Sequence, residues 1–191
     1  MQPVSIWGVL LTQSRGPAVV RSHGELLGDS CDGVAIVEAS SAGNGRASHT
    51  RTRLDGLLAG LREIPDEAGL VALVDEDGAD AVDPDTIGQM IARLTDDMAA
   101  IVRGIPVTDA LKRVEGRQLL GGVDRSGLFA PQTPQLIRRE ALDDALLAAC
   151  GQLPSDPATL LVDCGHSVGV LWGSAPSGVP LPPRNAQQPA R

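Results

Sequence analysis

Three groups of residues in the chain are of types that could do chemistry. The first is the acidic run Asp75-Glu76-Asp77-Gly78-Ala79-Asp80, which follows the apolar stretch Leu70 to Val74. A carboxylate just past the carboxyl end of a buried strand is a common position for a metal or substrate ligand. Two or three together could hold Mg2+, with Asp75 the first candidate; an acidic surface turn is the plainer reading. The second group is Thr12-Gln13-Ser14-Arg15-Gly16, after the apolar run Ser5 to Leu11. In α/β sheets the loop after the first strand often cradles phosphates through backbone N–H groups, and Arg15 adds one cation there. The third group is Lys112, Arg113 and Arg125, a small cationic patch suited to a phosphate-sized anion. Lys112 is the only lysine in the chain, so chemistry needing a lysine has one source. The plainer role for Arg125 is an ion pair with a nearby carboxylate.

Other candidates carry less. Ser14, His23 and Asp29 could be drawn as a triad, but no strained nucleophile turn surrounds the serine. Cys31, Cys150 and Cys164 share no metal-site spacing and read as reduced, buried thiols of a cytoplasmic protein. His166 sits in a Gly165-His166 turn, where a lone histidine is more often structural than a ligand. Asp96-Asp97 and Asp143-Asp144 read as solvated faces.

These residues need elements to position them. The runs Ser5 to Leu11 and Leu70 to Val74 have the continuous apolar character of strands buried on both faces. Val34 to Val37, Ala99 to Val107 and Val168 to Trp172 read as further strands. Arg53 to Leu61 has apolar residues at helical spacing. Asp83-Pro84 opens a helix whose stripe is Ile87, Met90, Ile91 and Leu94, by a capping Asp followed by Pro. Ser155-Asp156-Pro157 opens a short helix over 158–164 by the same device. Leu136 to Ala149 reads as an amphipathic helix with Arg138 and Arg139 on its wet side. Between residues 107 and 124, two short runs meet at Glu115-Gly116 and read as a hairpin. A lone hairpin is marginal in water, so this arm needs something to lean on, and a partner subunit is the simplest candidate.

Composition sets the outer bounds. The 191 residues suggest one domain, and hydrophobic content of 42% is enough for a packed core. With aromatics at 2%, that core must be aliphatic. The net charge of −8 argues against a nucleic-acid surface. The N-terminal apolar run is too short for a secretory or membrane segment. Residues 175–191 are Pro-rich and are expected to form a disordered tail.

The pieces VTDALKR, VDRSGL and QTPQ, in this order and spacing, resemble the arm and following segment of the 2-C-methyl-D-erythritol 4-phosphate cytidylyltransferases. The block Arg53 to Leu61, Asp75, and the stretch from Ser155 through Gly165-His166 to Val168 are similar to that family as well. The resemblance implies an α/β domain over residues 1–174. Its three layers hold a mostly parallel, mixed, nucleotidyltransferase-like Rossmann sheet with a protruding β-arm. It also implies a homodimer interlocked through the arm and CTP-dependent cytidylyl transfer with Mg2+ in isoprenoid precursor synthesis. Residue by residue, it places Arg125, Thr133 and Ser155 toward a substrate phosphate, Arg15 and Arg53 toward the nucleotide, and Asp75 at the metal, with Arg125 and Asp75 as the catalytic pair. Lys112, from the cationic patch, is a further candidate for substrate binding.

The chain departs from the family pattern at cationic and hydroxyl positions. Its phosphate loop has one glycine and no lysine. Gly56 replaces a serine, Gly78 stands near an expected arginine, Ala110 replaces the arm threonine, and the C-terminal lysine motif is absent. Cytidylyl transfer needs cations around the transferring phosphorus, so the expectation is a catalytically impaired, dimeric binding or regulatory protein. Two alternatives stand beside it. One is an active cytidylyltransferase with a non-standard CTP site, and the other is a non-catalytic mixed-dimer partner of an intact paralogue.

Overall fold

The computed structural model describes residues 4–12, 24–25, 27–38, 48–75, 84–149, 153–154 and 156–172. Two apolar strands form its centre, β1 (Ile6–Thr12) and β3 (Leu70–Asp75). They pair in parallel, with Val9 opposite Leu73. Val9, Val71, Ala72 and Leu73 are fully buried, as continuous apolar runs covered on both faces must be. β2 (Gly33–Glu38) pairs in parallel with the outer side of β1.

Helix α1 (Ser48–Gly60) packs on β1 and β2. Its glycines permit a close approach. A Cβ at Gly60 would lie 2.5 Å from Val9, and one at Gly56 would lie 2.9 Å from Leu11. Position 56 therefore faces the first strand, and its lack of a side chain serves helix–sheet packing.

Helix α2 (Pro84–Arg93) follows, then β4 (Ala100–Pro106). Ile87 and Met90 are buried, whereas Ile91, expected in the same stripe, is exposed. The hairpin β5 (Lys112–Glu115) and β6 (Gln118–Gly122) forms a separate two-stranded sheet. Its turn carries Gly116 at φ 58°, a left-handed conformation that glycine adopts without cost.

The chain returns through β7 (Phe129–Arg138), α3 (Arg139–Ala148), α4 (Pro157–Asp163) and β8 (Val168–Trp172). The six-stranded order is β2-β1-β3-β7-β4-β8. Only β7 runs antiparallel to its neighbours, so the sheet is mixed and mostly parallel. Alternate residues of the strands feed two apolar layers. Val71, Leu73 and Ile137 face the layer of Leu57, Leu142 and Leu160. Ala72, Val74 and Leu136 face the layer of Ile87 and Met90.

β7 corrects one sequence expectation. Leu136 to Arg138 are not the first turn of a helix but the last residues of a central strand. Leu136 pairs with both Ala72 and Ile101, and Ile137 with Val71 and Ala100. A short apolar run has no periodicity that separates a buried strand from a buried helix. Arg138 remains extended, at φ −68° and ψ 125°, and the helix begins after it. Neither arginine simply faces water: Arg138 donates to the Met98 carbonyl at 2.9 Å, and Arg139 pairs with Asp143 at 2.9 Å.

Candidate functional site

The register of β3 against β7 builds the site. Leu73 is opposite Gln135, and two residues further along, Asp75 meets Thr133. The Thr133 hydroxyl donates to Asp75 Oδ1 at 2.7 Å, and the Asp75 backbone N–H donates to Thr133 Oγ1 at 3.3 Å. Thr133 is only 1% exposed, so its hydroxyl is held by these contacts. The position of Thr133 follows from an irregularity in β7. Val102 of β4 pairs with Gln135, but Arg103 pairs with Gln132, so the β4 ladder skips Thr133 and Pro134. Such a bulge re-aims a side chain that a regular ladder would keep in step. Asp75 ends a parallel strand at its carboxyl end, the side where α/β sheets place ligands.

Gln135 lies two residues beyond Thr133, where the ladder is regular again and it pairs with Leu73 and Val102. It is fully buried and donates through Nε2 to Asp156 Oδ1 at 2.9 Å. Asp156 in turn caps α4, where its Oδ2 accepts from the N–H groups of Ala158 at 3.1 Å and Thr159 at 3.3 Å. Asp156 also borders a cavity of about 250 Å³ between β4, β8 and α4, lined mainly by Val102, Phe129, Val162 and Val170. The cap was legible from Asp156-Pro157. The Gln135 contact was not, because nothing in a sequence links two polar residues in separate elements.

The remaining candidates lie elsewhere. Lys112 is exposed on β5, in register with Gly122 of β6. Arg125 is exposed and donates to the backbone carbonyl of Thr108. It ties the two stalks of the arm together through a carbonyl, where an ion pair with a carboxylate was expected. Arg15, Ser155 and the side chain of Arg53 lie outside the described residues, as do Ser14, His23, Cys150, Gly78 and the tail from 175 onward. Cys31 and Cys164 are half-buried and free of disulfide, where full burial was expected. The Cys31 thiol is pushed up to about 12, by burial first and by the neighbouring Asp32 second.

Among the described residues, no cluster of three His, Cys, Asp or Glu side chains is placed to grip a metal ion. Mg2+ commonly uses only one or two carboxylates and takes its other ligands from phosphates and water. Asp75, half-exposed at its strand end, fits that role as a single carboxylate ligand. Among the described residues, no helix is long and apolar enough to cross a membrane.

Comparison with known proteins agrees with this architecture. The structure of 4-diphosphocytidyl-2C-methyl-D-erythritol synthase from Anaerococcus prevotii superposes with a TM-score of 0.68 at 15% identity, covering 96% of this chain and 95% of that one. The 2-C-methyl-D-erythritol 4-phosphate cytidylyltransferase of Thermus thermophilus gives 0.62 at 20% identity, covering 93% and 94%. In sequence, the chain is 35% identical over 125 residues to the "Bifunctional enzyme IspD/IspF" of Desulfotalea psychrophila, covering 64% of this chain and 31% of that protein. It is 33% identical over 125 residues to the 2-C-methyl-D-erythritol 4-phosphate cytidylyltransferase of Bacillus licheniformis, covering 64% and 53%. The chain thus spans about half or less of the length of these two relatives. The family profile for 2-C-methyl-D-erythritol 4-phosphate cytidylyltransferase matches residues 47–177, and the chain belongs to that family.

Proposed function

We propose that this chain is a catalytically impaired cytidylyltransferase homologue that binds CTP or a small phosphorylated ligand and works as a dimer. The observation that carries this reading is the Asp75–Thr133 contact at the carboxyl end of β3. It keeps a carboxylate and a hydroxyl together where a nucleotide and its Mg2+ would be met. Mg2+ there would offset phosphate charge, with Asp75 holding it, Thr133 orienting Asp75, and Arg15 and Arg53 on the nucleotide side.

The cations that would meet a second phosphate, Lys112 and Arg125, belong to the arm. A second subunit is the natural way to bring such an arm to a site, with Ser155 contributing a hydroxyl. The arm's exposed Val114 and Leu119 support pairing between copies, because a two-stranded hairpin is marginal alone. Losing several cations from one constellation leaves little phosphoryl-transfer chemistry.

Isothermal titration with CTP and Mg2+, followed by addition of methylerythritol phosphate, tests the reading. Saturable binding with no pyrophosphate release is expected. Rapid pyrophosphate release would replace it with an active enzyme using a non-standard site. Absence of any binding would end the ligand proposal.

A further inference from the structure

The face of β7 that carries Thr133 changes character along its length. Ile137 belongs to the apolar core, Thr133 meets Asp75, and Gln135 lies between them. A fully buried glutamine in a central strand needs a reason, because an amide removed from water is costly unless its hydrogen bonds are made. Gln135 has one bond, to Asp156, and its Oε1 has no partner. A leucine would fill this position without leaving a buried carbonyl unsatisfied. The residue therefore does something that its packing alone does not explain.

We infer that Gln135 is a positioning residue: by holding Asp156 it docks the start of α4 onto β7 beside Thr133 and so sets the geometry of the Asp75–Thr133 site. Asp156 is shared. Oδ1 accepts from Gln135, while Oδ2 accepts from the first N–H groups of α4. One carboxylate thus couples a strand position to a helix start that lies 21 residues further along the chain. Thr133 stands two residues from Gln135 and is skipped in the β4 register, so its placement depends on the contacts made by its neighbours along β7. Asp156, Ala158 and Thr159 at the start of α4 also border the cavity whose β7 wall is Phe129 and Pro131. The claim goes beyond the proposed binding function and rests on it only for its ligand readout.

Gln135→Leu, Asp156→Asn and the double variant test it. Two measurements are made on the full chain at a temperature well below unfolding. The first is the amide NMR spectrum of the unliganded protein. Gln135→Leu is expected to shift the Ala158 and Thr159 amides and, with them, the Asp75 amide that donates to Thr133. The second is the Kd for CTP with Mg2+ by calorimetry. About a tenfold rise is expected for each single variant, with the double variant no worse than either, because coupled residues are non-additive.

A merely structural role would lower the thermal midpoint and leave the Asp75 amide and the Kd unmoved. That result overturns the proposal, as does additivity in the double variant. If the unmutated protein binds no CTP, the proposed function falls, and the positioning role is decided by the Asp75 amide alone.

Discussion

The β7 face and the β5–β6 arm are both rich in polar side chains, yet they treat them in opposite ways. On β7, Thr133 and Gln135 are buried, and each hydrogen-bonds to one carboxylate. On the arm, every residue of both strands is exposed, apolar ones included, with Leu119 at 63% and Val114 at 58%. The polar groups of the β7 face find these partners within one chain. The arm leaves apolar surface that nothing in its own chain covers among the described residues. The difference separates a region whose polar side chains are buried and bonded from one whose apolar side chains stay exposed.

The sharpest way to test this contrast is to strike the core beneath the site. Leu136 is fully buried between β3 and β4, so Leu136→Ala should cost about 2–5 kcal/mol through lost burial and a residual cavity. Urea unfolding measures it. A loss below about 1 kcal/mol would mean that β7 is not the central strand described.

Thr133→Val comes next. It keeps the volume but removes the donor to Asp75 and the acceptor of the Asp75 N–H. A cost of about 1–3 kcal/mol is expected, since the partner groups lose their bonds. CTP affinity should fall with it. A variant with unchanged stability would show that the Asp75–Thr133 contact is incidental.

The same contrast explains what could be read in the sequence. β1 and β3 were legible because their apolar runs are long and carry no competing period. The arm was legible because a turn with Gly116 separates two short runs. None of β7 was, because Pro131 and Pro134 interrupt its first half and Leu136 and Ile137 make a run of two before a genuinely helical pattern begins at Arg139. Asp75 and Thr133 were each candidates, but their contact required the β3–β7 register, which no local pattern encodes. Gln135 escaped notice because a buried polar residue announces itself only once its surroundings are known. Position 56 was read for its missing hydroxyl, whereas the fold uses it to bring α1 against Leu11.

The arm predicts a reversed outcome. Leu119→Ser removes exposed apolar surface, so the stability of the subunit should change by less than about 0.5 kcal/mol. Its association should weaken instead, shifting the sedimentation profile toward monomer at a given concentration. An unaltered profile with loss of subunit stability would assign Leu119 to the subunit's own core and reverse the contrast.

The smallest effects concern two exposed carboxylates, one before β4 and one at the base of the arm. Asp97, before β4, is held below the usual carboxylate range mainly by the Thr95 hydroxyl, which donates to it at 2.5 Å. Asp124, at the base of the arm, is also lowered, first by the Ser126 backbone N–H at 3.0 Å and then by the Ser126 hydroxyl. Both folded-state values are depressed, so each contribution is present above the ordinary carboxylate pKa and is lost as the pH falls through the folded-state value. Solvent exposure keeps both effects small, and carboxyl NMR titration reads them directly. Thr95→Val should return Asp97 most of the way to its ordinary value. Ser126→Ala should raise Asp124 only partly, because the backbone donor remains, whereas Ser126→Pro removes that donor and should raise it further. If Ser126→Ala alone restores Asp124 fully, the turn at the arm's base is held by a side chain, as Asp97 is, and its backbone is not the anchor.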